Sequence, residues 1–255
     1  MEHHYAICRV TVAPLRAQPS DQAEIVSQLL FGDNVLVQET NDRWLYIRTV
    51  HDEYEGWVDF KQVTHIQQPE ISHFLAPPQI NNTLLSPDGS RYYLAASSNL
   101  PHYADGFCRI GATRFEVMFK PLAAFSKRTA TDVVNFALFY EHAPYLWGGR
   151  TSFGIDCSGF VQSVYKLAGI SLKRDASQQA EMGSTVDFLP EAVPGDVAFF
   201  DNEEGRIIHV GILLENDRII HASGKVKIDP IDDQGIYSKE LQRYTHKLRI
   251  IKRFI

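Results

Sequence analysis

Cys157, His209 and His221 have the residue types and the setting for nucleophilic attack on a carbonyl. A glycine-rich loop containing Gly148, Gly149 and Gly154 runs into Asp156-Cys157-Ser158-Gly159. Phe160, Val161, Val164, Leu167 and Ala168 then recur at spacings of three and four, which predicts an amphipathic helix. Gly169 is its expected stop. Cys157 therefore falls at or just before a helix N-terminus, where unpaired N–H groups and the helix dipole favour a thiolate. The alternative is a buried cysteine that acts as a small hydrophobe. Glycines on both sides oppose it, because they let backbone and substrate approach the sulfur.

A thiol nucleophile needs a base within hydrogen-bond reach, and the base needs an orienting partner. In IIHVGILL, His209 shares a strand face with Ile207, Gly211 and Leu213; in RIIHAS, His221 shares one with Ile219 and Ser223. A three-residue turn at 215–217 would pair Leu214 with Arg218, placing Gly211 opposite His221 and Ser223 opposite His209. Both histidines then fall on one face as diagonal neighbours about 7–8 Å apart along the backbone, and Gly211 leaves space between them. A slip of one residue would put them on opposite faces. A Cys/His/His zinc site competes with this reading, but it lacks a fourth ligand and the usual zinc spacings.

Other elements must hold these residues in place. Residues 5 to about 66 read as short strands at Val10-Thr-Val, Ile25-Val, Asn34-Val-Leu-Val, Trp44-Leu-Tyr-Ile and Gly56-Trp-Val. Breaks are expected at Pro14, Pro19-Ser-Asp, Gly32-Asp-Asn and Asn41-Asp, a pattern that suggests a small barrel or sandwich. A linker with Gln67-Gln-Pro and Ala76-Pro-Pro leads to a second β-rich stretch. Its strands are expected at Arg91-Tyr-Tyr-Leu and Phe115-Glu-Val-Met-Phe, with Pro87-Asp-Gly as a turn. Thr131 and Asp132 then open a helix that Pro144 stops. After the cysteine helix, strands are expected at Val197-Ala-Phe-Phe, at 206–214 and at 218–222. The class is α+β.

The 255-residue chain is 44% hydrophobic and carries a formal net charge of −6. That suits a soluble protein with a substantial core and gives no reason to expect nucleic acid. Three scattered cysteines, Cys8, Cys108 and Cys157, argue against a disulfide framework. Cys8 and Cys108 are assigned to structure or chance. The N-terminal MEHHYAICRV does not read as a signal peptide, its His3-His4 pair is expected to be disordered, and no apolar run approaches the roughly 20 residues that span a bilayer. A cytoplasmic protein without membrane contact is expected, with a periplasmic or secreted one as the alternative if an export signal has been removed. No P-loop, GxGxxG, HExxH or EF-hand pattern occurs, so no cofactor and no metal are implied.

YLWGGRTSFGIDCSGFVQ, PGDVAFF, HVGILL and IIHASG together resemble the NlpC-type bacterial cell-wall cysteine endopeptidases, over about 123–255. LRAQPS, FGDNVLV, WLYI and YEGWV resemble the bacterial SH3-type domains attached to such enzymes. The resemblance implies a papain-like peptidase at 123–255, an SH3-like domain at 1–66, and at 67–122 a linker with a degenerate second SH3-like unit. Cys157 matches the nucleophile, His209 the base, His221 the orienting residue, and Tyr145 the tyrosine placed near the oxyanion. With RDASQQ after the cysteine helix, the arrangement is similar to one branch that cleaves the γ-D-glutamyl–diamino acid bond of murein peptides bearing a free N-terminal L-alanine. That branch implies an ammonium subsite drawn from Glu24, Tyr54, Asp156, Ser158 and Ser177. A non-catalytic cell-wall-binding protein, and an amidase or acyltransferase using the same residues, remain alternatives. The diamino acid and the oligomeric state stay open.

Overall fold

The computed structural model describes residues 4–126 and 128–255. His3 lies outside them, and His4 opens the first strand. The chain divides into two compact units, Met1–Ser126 and Lys127–Ile255.

The first unit begins with β1 (His4–Cys8), β2 (Val12–Arg16), β3 (Ile25–Leu30), β4 (Asn34–Asn41), β5 (Trp44–Thr49), β6 (Glu55–Asp59) and β7 (Val63–Ile66). They form one sheet in the order β3-β2-β6-β5-β4-β1-β7. Its core gathers Ala6, Cys8, Leu15, Leu29, Val35, Ile47 and Val58. Pro14, expected as a break, lies inside β2. It pairs with Gln28 on β3, whereas β6 meets β2 only at Arg16, so the missing N–H costs no second ladder bond.

The unit continues with β8 (Phe74–Leu75), β9 (Asn82–Leu85), β10 (Arg91–Leu94), β11 (Phe107–Ile110), β12 (Thr113–Val117) and β13 (Leu122–Ala123). Four of these form a sheet in the order β10-β9-β12-β11, and β13 pairs with β8. Ile7 and Phe31 pack with Leu84, Leu94, Leu100 and Phe115 in a second core. Ala6 and Cys8 belong to one core and Ile7 to the other, as the period-two alternation of β1 dictates.

The second unit starts with α1 (Ala130–Leu138). Its cap is Thr129 rather than Thr131: the Thr129 hydroxyl accepts from the Asp132 N–H, and the Asp132 carboxylate accepts from the Thr129 N–H in a reciprocal capping box. Next come β14 (Arg150–Thr151), β15 (Gly154–Ile155), α2 (Cys157–Leu167) and α3 (Ala176–Gln179). The chain ends with β16 (Ser184–Val186), β17 (Val197–Asp201), β18 (Ile207–Glu215), β19 (Arg218–Ser223), β20 (Lys225–Asp232), β21 (Gly235–Ser238) and β22 (Arg243–Arg253). β22 pairs with β17 along one edge and divides the other between β21 and β16, which closes β17 through β22 into a ring. Ala198, Phe200, Leu213, Ile219, Ile231, Ile236 and Ile251 fill it. No helix among the described residues is long and apolar enough to cross a membrane.

Candidate active site

Cys157 is the first residue of α2. Asp156 caps the helix: its Oδ1 accepts from the Gly159 N–H at 2.7 Å, while its Oδ2 accepts from the Gly148 N–H at 2.8 Å. A Cβ on Gly159 would lie 2.3 Å from the Gly149 carbonyl oxygen, so the loop seats against the helix only because that residue is glycine. At the far end, Gly169 (φ +84°) follows the last turn and the Ile170 N–H returns to the Tyr165 carbonyl, a Schellman stop.

RDASQQ braces the same turn. The Arg174 guanidinium donates to both Asp156 oxygens and, at 2.8 Å, to the Ser158 hydroxyl. Gln179 donates to the carbonyls of Ser158 (3.1 Å) and Lys173 (2.8 Å). Arg174 and Gln179 are buried, whereas Ser177, the serine drawn from this motif, is exposed on α3. Asp156 accepts five hydrogen bonds once the Ser158 hydroxyl is included, which fills the roughly four lone-pair sites of a carboxylate. An ammonium reaching Asp156 and Ser158 would share them with Arg174. The buried arginine was present in the motif, but nothing local distinguished it from a solvated charge.

The thiol environment also departs from expectation. Burial, and after it the Asp156 charge, pushes the Cys157 thiol up to about 11. The N–H groups of Ser158 and Val210, and Arg174, work against this without overcoming it. Desolvation of the charged form thus opposes the thiolate that the helix dipole favours.

Gly211 does pair with His221. The turn differs: it comprises residues 216 and 217, Glu215 pairs with Arg218, and a bulge at Leu214 absorbs the offset. The anticipated register survives because the bulge lies beyond the histidines. His209 Nε2 lies 2.8 Å from His221 Nδ1, with the residues 5% and 1% exposed. A Cβ on Gly211 would sit 2.8 Å from the His221 Cβ, so glycine is required for His221 to lie there.

Two neighbours of this pair were not anticipated, because they come from strands that carry no obvious motif. His221 Nε2 lies 3.1 Å from Asp229 Oδ2 on β20. On β22, the His246 ring stacks on His209 with centroids 4.0 Å apart and planes inclined by 23°. Burial drives His209 well below its ordinary value, helped by the neighbouring His221, His246 and Lys227, which favours the neutral imidazole. Burial likewise lowers His221 and brings His246 down to about 4.

Nitrogens of His209, His221 and His246 lie within 4.8 Å of one another, a possible metal cluster. The arrangement fits an ion poorly. An imidazole coordinates in its own plane, the stacked rings of His209 and His246 are nearly parallel, and the close His209–His221 approach is that of a hydrogen bond.

Tyr145 stands beside Cys157, held by its N–H to the Gly224 carbonyl and by a bridge to Ile155. Burial, followed by the Cys157 and Asp156 charges, pushes its hydroxyl up to about 12, so it remains an O–H donor. In the first unit, Glu24 and Tyr54 each precede a strand, β3 and β6, that runs antiparallel to β2. Both therefore lie at the same end of the sheet. Glu24 is exposed; Tyr54 packs partly against the first core, and its N–H donates to the Thr49 hydroxyl at 2.8 Å.

The profile of the NlpC/P60 family matches residues 142–245, and that of the bacterial dipeptidyl-peptidase Sh3 domain matches 15–63. The chain is 31% identical to the γ-D-glutamyl-L-lysine dipeptidyl-peptidase of Bacillus subtilis over 236 residues, covering 85% of this chain and 79% of that protein. The chain belongs to the NlpC/P60 family. It is also 29% identical to dipeptidyl-peptidase 6 of Lysinibacillus sphaericus, over 92% of this chain and 95% of the relative. The crystal structure of an NlpC/P60 protein from Bacillus cereus shares the fold with a TM-score of 0.81 at 20% identity, covering 98% of this chain and 99% of that one. The papain-like α+β class and the SH3-like start of the chain hold, and the protein is a cysteine peptidase.

Proposed function

We propose that this protein hydrolyses the γ-D-glutamyl–L-diamino acid bond of murein peptides that carry a free N-terminal L-alanine. The observation that carries the chemistry is the thiol of Cys157 at the start of α2, in reach of the Val210 N–H, with Val210 following a neutral, buried His209.

His221 occupies Nε2 of His209, which leaves Nδ1 to take the thiol proton as sulfur bonds to the carbonyl carbon. Of the first three N–H groups of α2, that of Gly159 goes to Asp156 and that of Ser158 faces the sulfur. The Cys157 N–H is left for the oxyanion, with the Tyr145 hydroxyl as a second donor. The proton then passes from His209 to the departing amine as the C–N bond breaks, and water hydrolyses the thioester.

The substrate rests on the relatives. Two of them are named γ-D-glutamyl-L-lysine dipeptidyl-peptidases, and a dipeptidyl-peptidase releases its product from a free chain end. For the ammonium of that end the resemblance offers Glu24 and Tyr54 in the first unit and, in the second, Asp156, Ser158 and Ser177 as candidate contacts, each to be tested singly. The assigned place of the reaction is cytoplasmic murein-peptide recycling, a reading that the odd, sparse cysteine count of the sequence fits.

The test is hydrolysis of L-Ala-γ-D-Glu-diaminopimelate beside its N-acetylated form, with Cys157→Ala as control. Cleavage of the unblocked peptide alone, abolished in Cys157→Ala, is expected. Equal cleavage of both would remove the ammonium subsite. Cleavage by Cys157→Ala would remove the nucleophile.

A further inference from the structure

The site contains one more polar contact than a cysteine and two histidines require. His209, His221 and Asp229 lie on three successive strands of the ring. His221 pairs directly with Gly211 on one side and with Lys227 on the other. His209 is two residues before Gly211, and Asp229 is two residues after Lys227. Because β18 and β20 run parallel to each other, the three side chains share a face and form a straight diagonal across the sheet. The contacts along it are 2.8 Å and 3.1 Å, and Asp229 is only 6% exposed.

We infer that Asp229 is a positioning residue that sets the tautomers of both histidines and thereby leaves His209 Nδ1 unprotonated toward Cys157. This rests on the assignment of Cys157 and His209 as nucleophile and base. A carboxylate only accepts, so the proton of His221 must sit on Nε2. His221 Nδ1 is then an acceptor, and the proton of His209 is held on Nε2. Without Asp229, His221 is free to carry its proton on Nδ1 and donate to His209 Nε2. His209 would then carry its own proton on Nδ1, where the base is needed, and could not accept from the thiol.

The surrounding charges agree with this assignment. Burial pushes the Asp229 carboxyl up, but the His221 contact and Lys227 hold it below the usual carboxylate range, so it is ionised. Lys227 Nζ lies 3.4 Å from Asp229 Oδ2 and 3.9 Å from Glu240 on the exposed side. His246 covers the ring of His209, and its Nδ1 is engaged by the Thr245 hydroxyl at 2.9 Å. Asp229 is thus the acceptor at the Lys227 end of the line. When His209 takes the proton from sulfur, the negative charge at that end stabilises the imidazolium.

Three measurements test this, and the first two do not depend on the natural substrate. Long-range 15N–1H spectra of the wild-type protein should show both His209 and His221 protonated on Nε2 at pH 7. Protonation of His221 on Nδ1 would overturn the proposal without any variant being made. Alkylation of Cys157 by iodoacetamide, followed by mass spectrometry at that residue, should slow in a folded Asp229→Ala protein. Hydrolysis of L-Ala-γ-D-Glu-diaminopimelate should lose about 100-fold in kcat with KM little changed, less than the roughly 10⁴-fold cost of a wrong tautomer enforced directly on the base. Unchanged kcat and alkylation in Asp229→Ala would overturn the role of Asp229. Slower alkylation with no hydrolysis by wild type would support that role while removing the substrate reading.

Discussion

The proposed nucleophile and the proposed base are each backed by a buried aspartate, and the two aspartates are neutralised in different ways. Asp156 is clasped by backbone N–H groups and by Arg174, a cation at any accessible pH. Asp229 faces His221, which titrates, and Lys227, which keeps a path to solvent. The nucleophile side is thus a static brace that holds a backbone turn, whereas the base side is a line along which protons can be exchanged. Damage to the first should appear mainly as lost stability. Damage to the second should appear mainly as altered rate and pH dependence.

The largest effect is expected from Arg174→Met, which strands the Asp156 carboxylate in the interior. Breaking a buried pair this way costs about 3–5 kcal/mol, to be read from urea denaturation of the second unit. The double variant Asp156→Asn with Arg174→Met should recover part of that loss, because no unpaired charge remains. A single variant as stable as wild type would show that the brace is not electrostatic. On the base side, Gly211→Ala adds a methyl 2.8 Å from both the His221 Cβ and Ile219 Cδ1. Overpacking of this kind costs about 1–3 kcal/mol, and the turnover lost should exceed what that instability explains, since His221 is displaced. Normal kcat in Gly211→Ala would mean that the diagonal tolerates misalignment.

The same division explains what could be read from the sequence. The nucleophile turn is contiguous, so its glycines, its cap and its helix period all signal one structure. The β18–β19 hairpin was also legible, because one pairing relation fixes its face; the bulge at Leu214 altered the turn and spared the register. Asp229 and His246 were not legible. Asp229 enters through the adjacent β19–β20 hairpin, whose pairing was not read from the sequence, and His246 through the closure of the ring by β22, a long-range pairing that leaves no local signature. Arg174 and Ser177 show a similar limit: four-residue α3 gives no amphipathic period, so nothing indicated which side of RDASQQ would be buried.

The smallest expected effect concerns His246, which separates stability from catalysis on the base side. Burial, aided by His221 and Lys227 against the opposing Asp229 charge, brings its folded value down to about 4, compared with 6.5 as the ordinary one. Between those values the unfolded chain binds a proton that the folded chain does not. Stability is therefore full above pH 6.5 and is lost as pH falls toward 4. His209 and His221 are depressed too, so they add to the same slope. His246→Phe keeps a ring against His209 and removes one titrating group. Its urea midpoint should match wild type at pH 7.5 and exceed it at pH 4.5. Parallel pH curves for the two proteins would show that His246 takes up its proton in the folded state, and hence that the stacked ring is open to solvent rather than part of the buried line.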